Sequence, residues 1–494
     1  MIVADNTVAD APQRGFFGQP RGLSTLFFTE MWERFSYYGM RGILALYLMT
    51  EVSKGGLGLP EGTATSTVQA YGASVYLTGV AGGWLADRLL GARHSVFYGG
   101  VLIMFGHIGM ALPGGLTSAG LGIVLIIAGS GLLKPNVSKM VGDLYSAQDQ
   151  RRDAGFSVFY MGINLGGFFG PLIAGFLQSE IGFHWGFGAA AVGMALGLIQ
   201  YVLGRRNLGT VSDHPGNPLP EGQKGRVLTR AVGIAVLFVV VLGGLVATGS
   251  IGLGGLVNVV SVISAVLPVV YFAVMLSSKQ ITKVERDRLI AYIPLFLATA
   301  LFFLLFEQQA STLVRVTEED TAHSVLGWEF PVAWFQSINS LAIIILAPVF
   351  AALWLKLGSR QPSTPAKFVG GVVFVGLGFL WVVLSGFVVN SDGQQLAIMV
   401  ALVFVILTIG ELMLSPVGLS ASTKLAPAAF SSQTLGLYFL APALGQGLGA
   451  QVVKLYSPEN QALYFGVIGV LTIACGGLLA VSVPWVRRMM HGVP

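Results

Sequence analysis

Apolar runs of about 20 residues recur from one end of this chain to the other, and nothing else in it constrains the fold so strongly. A helix of that length, rising 1.5 Å per residue, crosses the hydrocarbon core of a bilayer. No polar stretch between the runs is long enough to bury a soluble core of its own. The composition agrees, with 54% hydrophobic and 10% charged residues, whereas soluble domains carry roughly a quarter charged. The sequence therefore reads as an all-α polytopic membrane protein.

Hydropathy, turn residues and charge place helices near 24–50, 66–90, 94–113, 119–142, 154–178 and 184–204. Two more follow near 228–248 and 256–277, then six near 288–309, 331–357, 366–389, 395–422, 433–455 and 462–486. This order of six, two and six predicts 14 transmembrane helices. It divides the chain into a cytoplasmic N-terminal segment 1–23, a six-helix bundle 24–204, a linker with two additional helices 205–287, a second six-helix bundle 288–488 and a tail 489–494. "GGWLADRLLGAR" and "AALWLKLGSR" end the second helix of each six, a weak echo of duplicated halves.

Charge tests the scheme. With both termini cytoplasmic, 22 of the 28 Lys and Arg fall at cytoplasmic ends, while Lys54, Arg315 and Lys454 fall outside. The positive-inside rule is thus obeyed, and the net charge of +5 reads as a topology signal rather than a nucleic-acid surface. The single cysteine, Cys475, lies in an apolar run and has no internal partner for a disulfide. The N-terminus lacks the pattern of a removable signal peptide. No metal-binding or nucleophile cluster is present, so no cofactor or catalytic residue is expected.

Three cations remain inside the membrane: Arg34, Arg41 and Lys134. Two of them belong to "EMWERFSYYGMR", where Glu30, Glu33, Arg34, Tyr37, Tyr38 and Arg41 fall at i, i+3, i+4, i+7, i+8 and i+11. On a helix these positions form one polar stripe about 16 Å long. Each charge at mid-bilayer costs at least about 2.5 kcal/mol, so the stripe must face a wet cavity or other polar groups. A static salt-bridge cluster is the competing reading, although buried ion pairs are poor sources of net stability. A carboxylate held between an apolar wall and a movable guanidinium can instead exchange an ion pair for a proton.

"LLKPNVSK" sets Lys134 beside Pro135 on the fourth helix, where a proline bend lets the amine reach a carboxylate. "LFFLLFEQQAST" places Glu307 near the outer end of its helix, with a solvated mouth as the competing reading. "ILTIGELMLSPVG" places Glu411 mid-helix with Ser415 one turn on and no Lys or Arg nearby in sequence. A lone carboxylate at that depth wants a cation, which the amino group of a substrate would supply; a protonated, hydrogen-bonded acid is the alternative. Base in the first half and acid in the second suit a zwitterion. Tyr76, Asn164 and Asn339 are further intramembrane polar groups, each equally readable as an interhelical hydrogen bond. His107 reads as a packed core residue.

The stripe resembles the ExxERFxYY motif of the proton-dependent oligopeptide transporter (POT/PTR) family of the major facilitator superfamily. "FYMGINLGG", "ADRLLGAR", "KPN", "WFQSINSLAIIILAPVF" and "GELMLSP" extend the resemblance over nearly the whole chain. It implies the major facilitator fold, two six-helix bundles plus the two extra helices of bacterial members, working by alternating access. The implied activity is proton-coupled import of di- and tripeptides across a bacterial inner membrane, by a protein that is not an enzyme and acts as a monomer. Nitrate, another small anion or a peptide-like drug is the alternative substrate.

Carried over by motif, Glu30 and Glu33, paired with Arg34 and Lys134, would couple protons, and Glu307 is counted with them. Arg34 and Lys134 would hold the peptide carboxylate; Glu411, Asn164 and Asn339 would receive the amino end. Tyr37, Tyr38 and Tyr76 would line the pocket, and Arg41, Ser415 and Tyr438 complete the expected substrate-binding set. The chain departs from relatives in having Gln69 where animal members have histidine and Tyr438 where many have tryptophan. The short "NSDGQQ" connection leaves no room for their extracellular domain.

Overall fold

The computed structural model describes residues 15–146, 149, 151–220, 222–325 and 327–493. Six long helices come first: α1 Arg21–Met49, α2 Glu61–Leu85, α3 Ala92–Ala111, α4 Gly115–Asp143, α5 Arg152–Glu180 and α6 Phe183–Gly204. The additional pair is α7 Lys224–Ala247 and α8 Leu253–Ser277. The last group is α9 Lys283–Phe306, the short α10 Thr312–Glu319, α11 Phe335–Leu357, α12 Thr364–Ser385, α13 Ala397–Lys424, α14 Ser431–Val452 and α15 Gln461–Met489. Setting α10 aside, fourteen long helices among the described residues stand in the expected order of six, two and six. Ten helical stretches among the described residues are long and apolar enough to cross a membrane. α1 fails that test because its polar stripe leaves no sufficiently uncharged window.

Several helices begin four or five residues from the expected bounds, α9 at Lys283 rather than near 288 among them. The second helix begins at Glu61 rather than near 66, and after Leu85 "ADRLL" continues as a π-helical turn closed by Gly91 at φ 77°. α9 ends at Phe306, Glu307–Ala310 form a 3₁₀ turn, and α10 with a two-stranded hairpin (Ser324–Val325 against Trp328–Glu329) fills the connection before α11. α11 therefore starts at Phe335, four residues beyond the expected 331, because Pro331 is extended and Val332–Trp334 form a 3₁₀ turn ahead of it.

The chain forms two compact units. One comprises the residues up to Gly39, Thr78–Gly170 and Phe187–Gly233; the other comprises Met40–Leu77, Pro171–Gly186 and the chain from Ile234 onward. The division runs through helices: α1, α2, α5, α6 and α7 each contribute to both units.

The core of the first unit is built from Leu23, Leu26, Val96, Ile103, Leu133, Val137, Met194 and Tyr201. α3 and α4 approach backbone to backbone: a Cβ added at Gly106 would lie 2.7 Å from the Gly122 carbonyl, and one at Gly129 would lie 2.5 Å from that of Gly99. Such seams are how helices gain packing where lipid offers no hydrophobic drive. The polar segment after α6 folds back onto this unit. Arg93 bonds Asp213 at 2.5 Å, Ser212 donates to Asp143 at 2.8 Å, and the Asn217 N–H donates to the Asp87 carbonyl at 3.0 Å.

In the second unit α8 lies along α14 and touches α9 at Phe272. Phe272 meets Phe296 edge to face with ring centres 5.3 Å apart, and Ser261 donates to the Gly447 carbonyl at 2.7 Å. The C-terminal half of α1 and the N-terminal half of α2 are packed into the same unit. Gly42 allows α1 to rest on Pro171, since a Cβ there would meet the proline ring at 3.3 Å.

Candidate functional site

Helical spacing delivers the first cluster as the sequence predicts. Arg34 Nε lies 2.6 Å from Glu30 Oε1 and 3.1 Å from Glu33 Oε2. All three side chains are nearly or fully buried in the first unit. Among the described residues, neither Glu33 oxygen accepts a hydrogen bond of good geometry, and its ion pair is with Arg34.

Lys134 is brought to the same cluster by Tyr37. Its Nζ stands 3.8 Å above the centre of the Tyr37 ring, and the Arg34 guanidinium carbon is 5.9 Å from the same ring. Tyr38 meets Tyr37 edge to face with centres 5.2 Å apart. The position of Lys134 follows from its helix. Pro135 has no N–H to give the Gly131 carbonyl, and the next residue, Asn136, donates from Nδ2 to the Leu132 carbonyl at 2.7 Å.

"INLGG" has an equally local explanation. A Cβ at Gly166 would lie 2.2 Å from the Met31 carbonyl, and one at Gly170 would lie 2.5 Å from that of Phe35. Only glycine lets α5 run so close to the back of the α1 stripe. Asn164 is buried by that approach and donates to the Tyr160 carbonyl of its own helix at 2.9 Å.

The second unit holds the remaining expected residues. Arg41, although on the same helix face as Arg34, bonds the Glu307 carboxylate, and both side chains are buried. Glu307 is therefore not part of a solvated mouth. Around that pair Gln308 accepts from Tyr464 at 2.9 Å and from Thr312 at 2.8 Å, while Gln69 donates to Ser311 at 2.9 Å. A further ion pair joins Arg315 to Glu61 at 3.5 Å.

Glu411 accepts a hydrogen bond from Asn339 Nδ2 at 3.0 Å, and the same amide donates to Thr408 at 2.9 Å. Among the described residues Glu411 forms no ion pair. Tyr438 donates to the Ser415 carbonyl at 3.0 Å, which ties α14 to α13 one turn beyond Glu411. Tyr76 belongs to this unit and is half-buried. Sequence reasoning missed Thr408 as the partner of Asn339, Ser311 as that of Gln69, and the pairing of Arg41 with Glu307. Among the described residues no cluster of three or more His, Cys, Asp or Glu is placed to hold a metal ion.

The motifs on α1, α4 and α5 agree with one family. A family model described as "POT family" matches residues 93–471. The chain belongs to the POT family. "Uncharacterized transporter YclF" of Bacillus subtilis is 48% identical over 490 residues, 99% of either chain. The "Di-/tripeptide transporter" of Lactococcus lactis subsp. cremoris is 42% identical, with 97% of this chain and 98% of that one aligned. A crystal structure of peptide transporter POT in complex with sulfate superposes with a TM-score of 0.93 at 50% identity, over 98% of both chains. The fold is thus the expected all-α major facilitator fold of a multi-pass membrane transporter.

Proposed function

We propose that this protein is a proton-coupled symporter that imports di- and tripeptides by alternating access. The observation that carries the reading is a division of charge. Arg34 and Lys134 gather in one unit, and a Glu411 that forms no ion pair among the described residues stands in the other. A carboxylate in a membrane protein costs several kcal/mol unless a cation joins it, and a peptide's amino terminus is such a cation. Its carboxyl terminus in turn suits the paired Arg34 and Lys134. The POT relative named a di-/tripeptide transporter supports this substrate class.

In this reading Arg34 and Lys134 hold the peptide carboxylate, and Glu411 with Asn339 takes the amino group. Tyr37, Tyr38, Tyr76, Asn164, Arg41, Ser415 and Tyr438 contribute contacts to the peptide. Glu30, Glu33 and Glu307 exchange protons, because a carboxylate that gains a proton releases its guanidinium partner. One proton carried inward with a neutral zwitterion moves one positive charge, which adds about 2.3 kcal/mol per 100 mV of inside-negative potential. The location is a bacterial inner membrane with both termini cytoplasmic, and the working unit is a monomer. The end carrying Arg41 and Glu307 then faces outward.

The test is uptake of labelled dialanine into proteoliposomes under an inward proton gradient and an inside-negative potential. Accumulation that a protonophore collapses is the expected result. Folded protein that takes up nitrate, another anion or a peptide-like drug but no dialanine overturns the peptide assignment, and uptake indifferent to the protonophore overturns the coupling.

A further inference from the structure

We infer that α8, one of the two helices inserted between the six-helix groups, is a working part of the outer gate, with Val257 and Ser261 as positioning residues. Two sets of contacts lead there. First, α8 is bound to α14 over much of its length and touches α9 at Phe272. Ser261 donates to the Gly447 carbonyl at 2.7 Å and accepts from Gln451 Nε2 at 2.7 Å. Lys454 donates to Asn258 at 3.2 Å, and Phe272 packs on Phe296. A Cβ at Gly447 would lie 2.6 Å from that of Ser264, so the two helices cross almost backbone to backbone. From Val257 to Phe272 these contacts span about 22 Å of helix.

Second, at one end α8 also meets α2. Val257 forms a buried apolar cluster with Ala70 of α2 and Ala450 of α14, with Val260 against it. The cluster adjoins the contacts that hold α2 to the C-terminal helices. Gln69, one residue before Ala70, bonds Ser311, and a Cβ at Gly72 would overlap the Gln446 side chain. The N-terminal half of α2 therefore sits against two helices, α14 and α8. If that end opens during the cycle, α2 must leave both, while the bonds to Gly447 and Gln451 keep α8 with α14. Apolar contact at Val257 then adds to the stability of the closed outer end, and the Ser261 bonds keep Val257 in place.

This inference rests on the symport reading only in taking the opening of that end as a step of the cycle. The test places a cysteine at Ala70 in a Cys475→Ser background and measures its labelling by a membrane-impermeant thiol reagent from the outer side. Val257→Ala and Ser261→Ala should each accelerate labelling by about three- to tenfold, the size of losing a few buried methyl contacts or one hydrogen bond. Phe272→Leu, at the far end of α8 against α9, should leave the rate unchanged. Unchanged labelling in both Val257→Ala and Ser261→Ala overturns the inference, and so does equal acceleration by Phe272→Leu, which would signify general loosening. If Val257→Ala does not fold, Ser261→Ala decides alone. Because labelling needs no substrate, failure here is separate from failure to transport dialanine.

Discussion

Arg41 stands seven residues beyond Arg34 on α1, yet its guanidinium bonds Glu307, which lies 266 residues further along the chain. One helix thus carries two buried ion-pair sites. The first, around Arg34, draws its acids from α1 itself; the second is completed by the turn after α9. The local site holds together whatever the rest of the protein does. The long-range site exists only while α1 stays against that turn, which suits it to a gate.

Removing one partner of the Arg41–Glu307 pair should be costly. Glu307→Ala leaves a buried guanidinium without its counter-charge and is expected to destabilise the protein by about 3 to 5 kcal/mol, whereas replacing both residues by methionine should restore much of that loss. Thermal melting of the two single variants and the double variant completes the cycle. Proton-driven accumulation should remain absent in the double variant. Recovery of accumulation along with stability would show that the pair is only structural.

Glu411→Gln should weaken dipeptide binding by about ten- to a hundredfold, the worth of a charge-assisted hydrogen bond to a buried partner. The N-acetylated dipeptide, which brings no ammonium group, should bind both proteins alike. Competition against a labelled peptide measures both ligands. An equal loss for the two would remove Glu411 from amine recognition and leave it as an anchor for Asn339.

Much of this architecture is legible in the sequence because its signals are local. Helices of 20 residues declare themselves by hydropathy, and the α1 stripe by its three- and four-residue spacing; both stand where expected. α10 is eight residues long and amphipathic, below the length at which periodicity separates a helix from a loop. The polar segment after α6 reads as a linker, but Asp213 finds Arg93 at a separation of 120 residues. No local pattern encodes that pairing. The same holds for Ser311 with Gln69 and for Val257 with Ala70, whose partners only the packed structure supplies.

Glu33→Gln keeps the shape of a fully buried side chain and removes its capacity to take up and release a proton. Accumulation driven by a proton gradient should fall to background, while counterflow exchange of peptide across the membrane persists. Proteoliposomes loaded with unlabelled dialanine test exchange, and the same preparation under a gradient tests accumulation. Intact accumulation would transfer the coupling role to Glu30 or Glu307. Loss of both activities would instead indicate that the carboxylate is needed to hold Arg34.

In the proposed reading, Tyr37 acts on the peptide through Lys134. An ammonium 3.8 Å above a ring centre is held there by the negative face of the aromatic quadrupole, an attraction worth about 0.5 to 2 kcal/mol, with the larger value where water is excluded. Tyr37→Phe keeps the face and should leave binding within about twofold, whereas Tyr37→Leu removes it and should weaken binding by about three- to thirtyfold. The loss should be confined to ligands with a free carboxylate, because Lys134 is the cation that the ring contacts. A dipeptide amide, lacking that carboxylate, separates the two effects: equal weakening of acid and amide by Tyr37→Leu would mean that the ring packs against the peptide itself. Weakening of the acid alone, with Tyr37→Phe near the native value, would establish Tyr37 as the residue that aims Lys134.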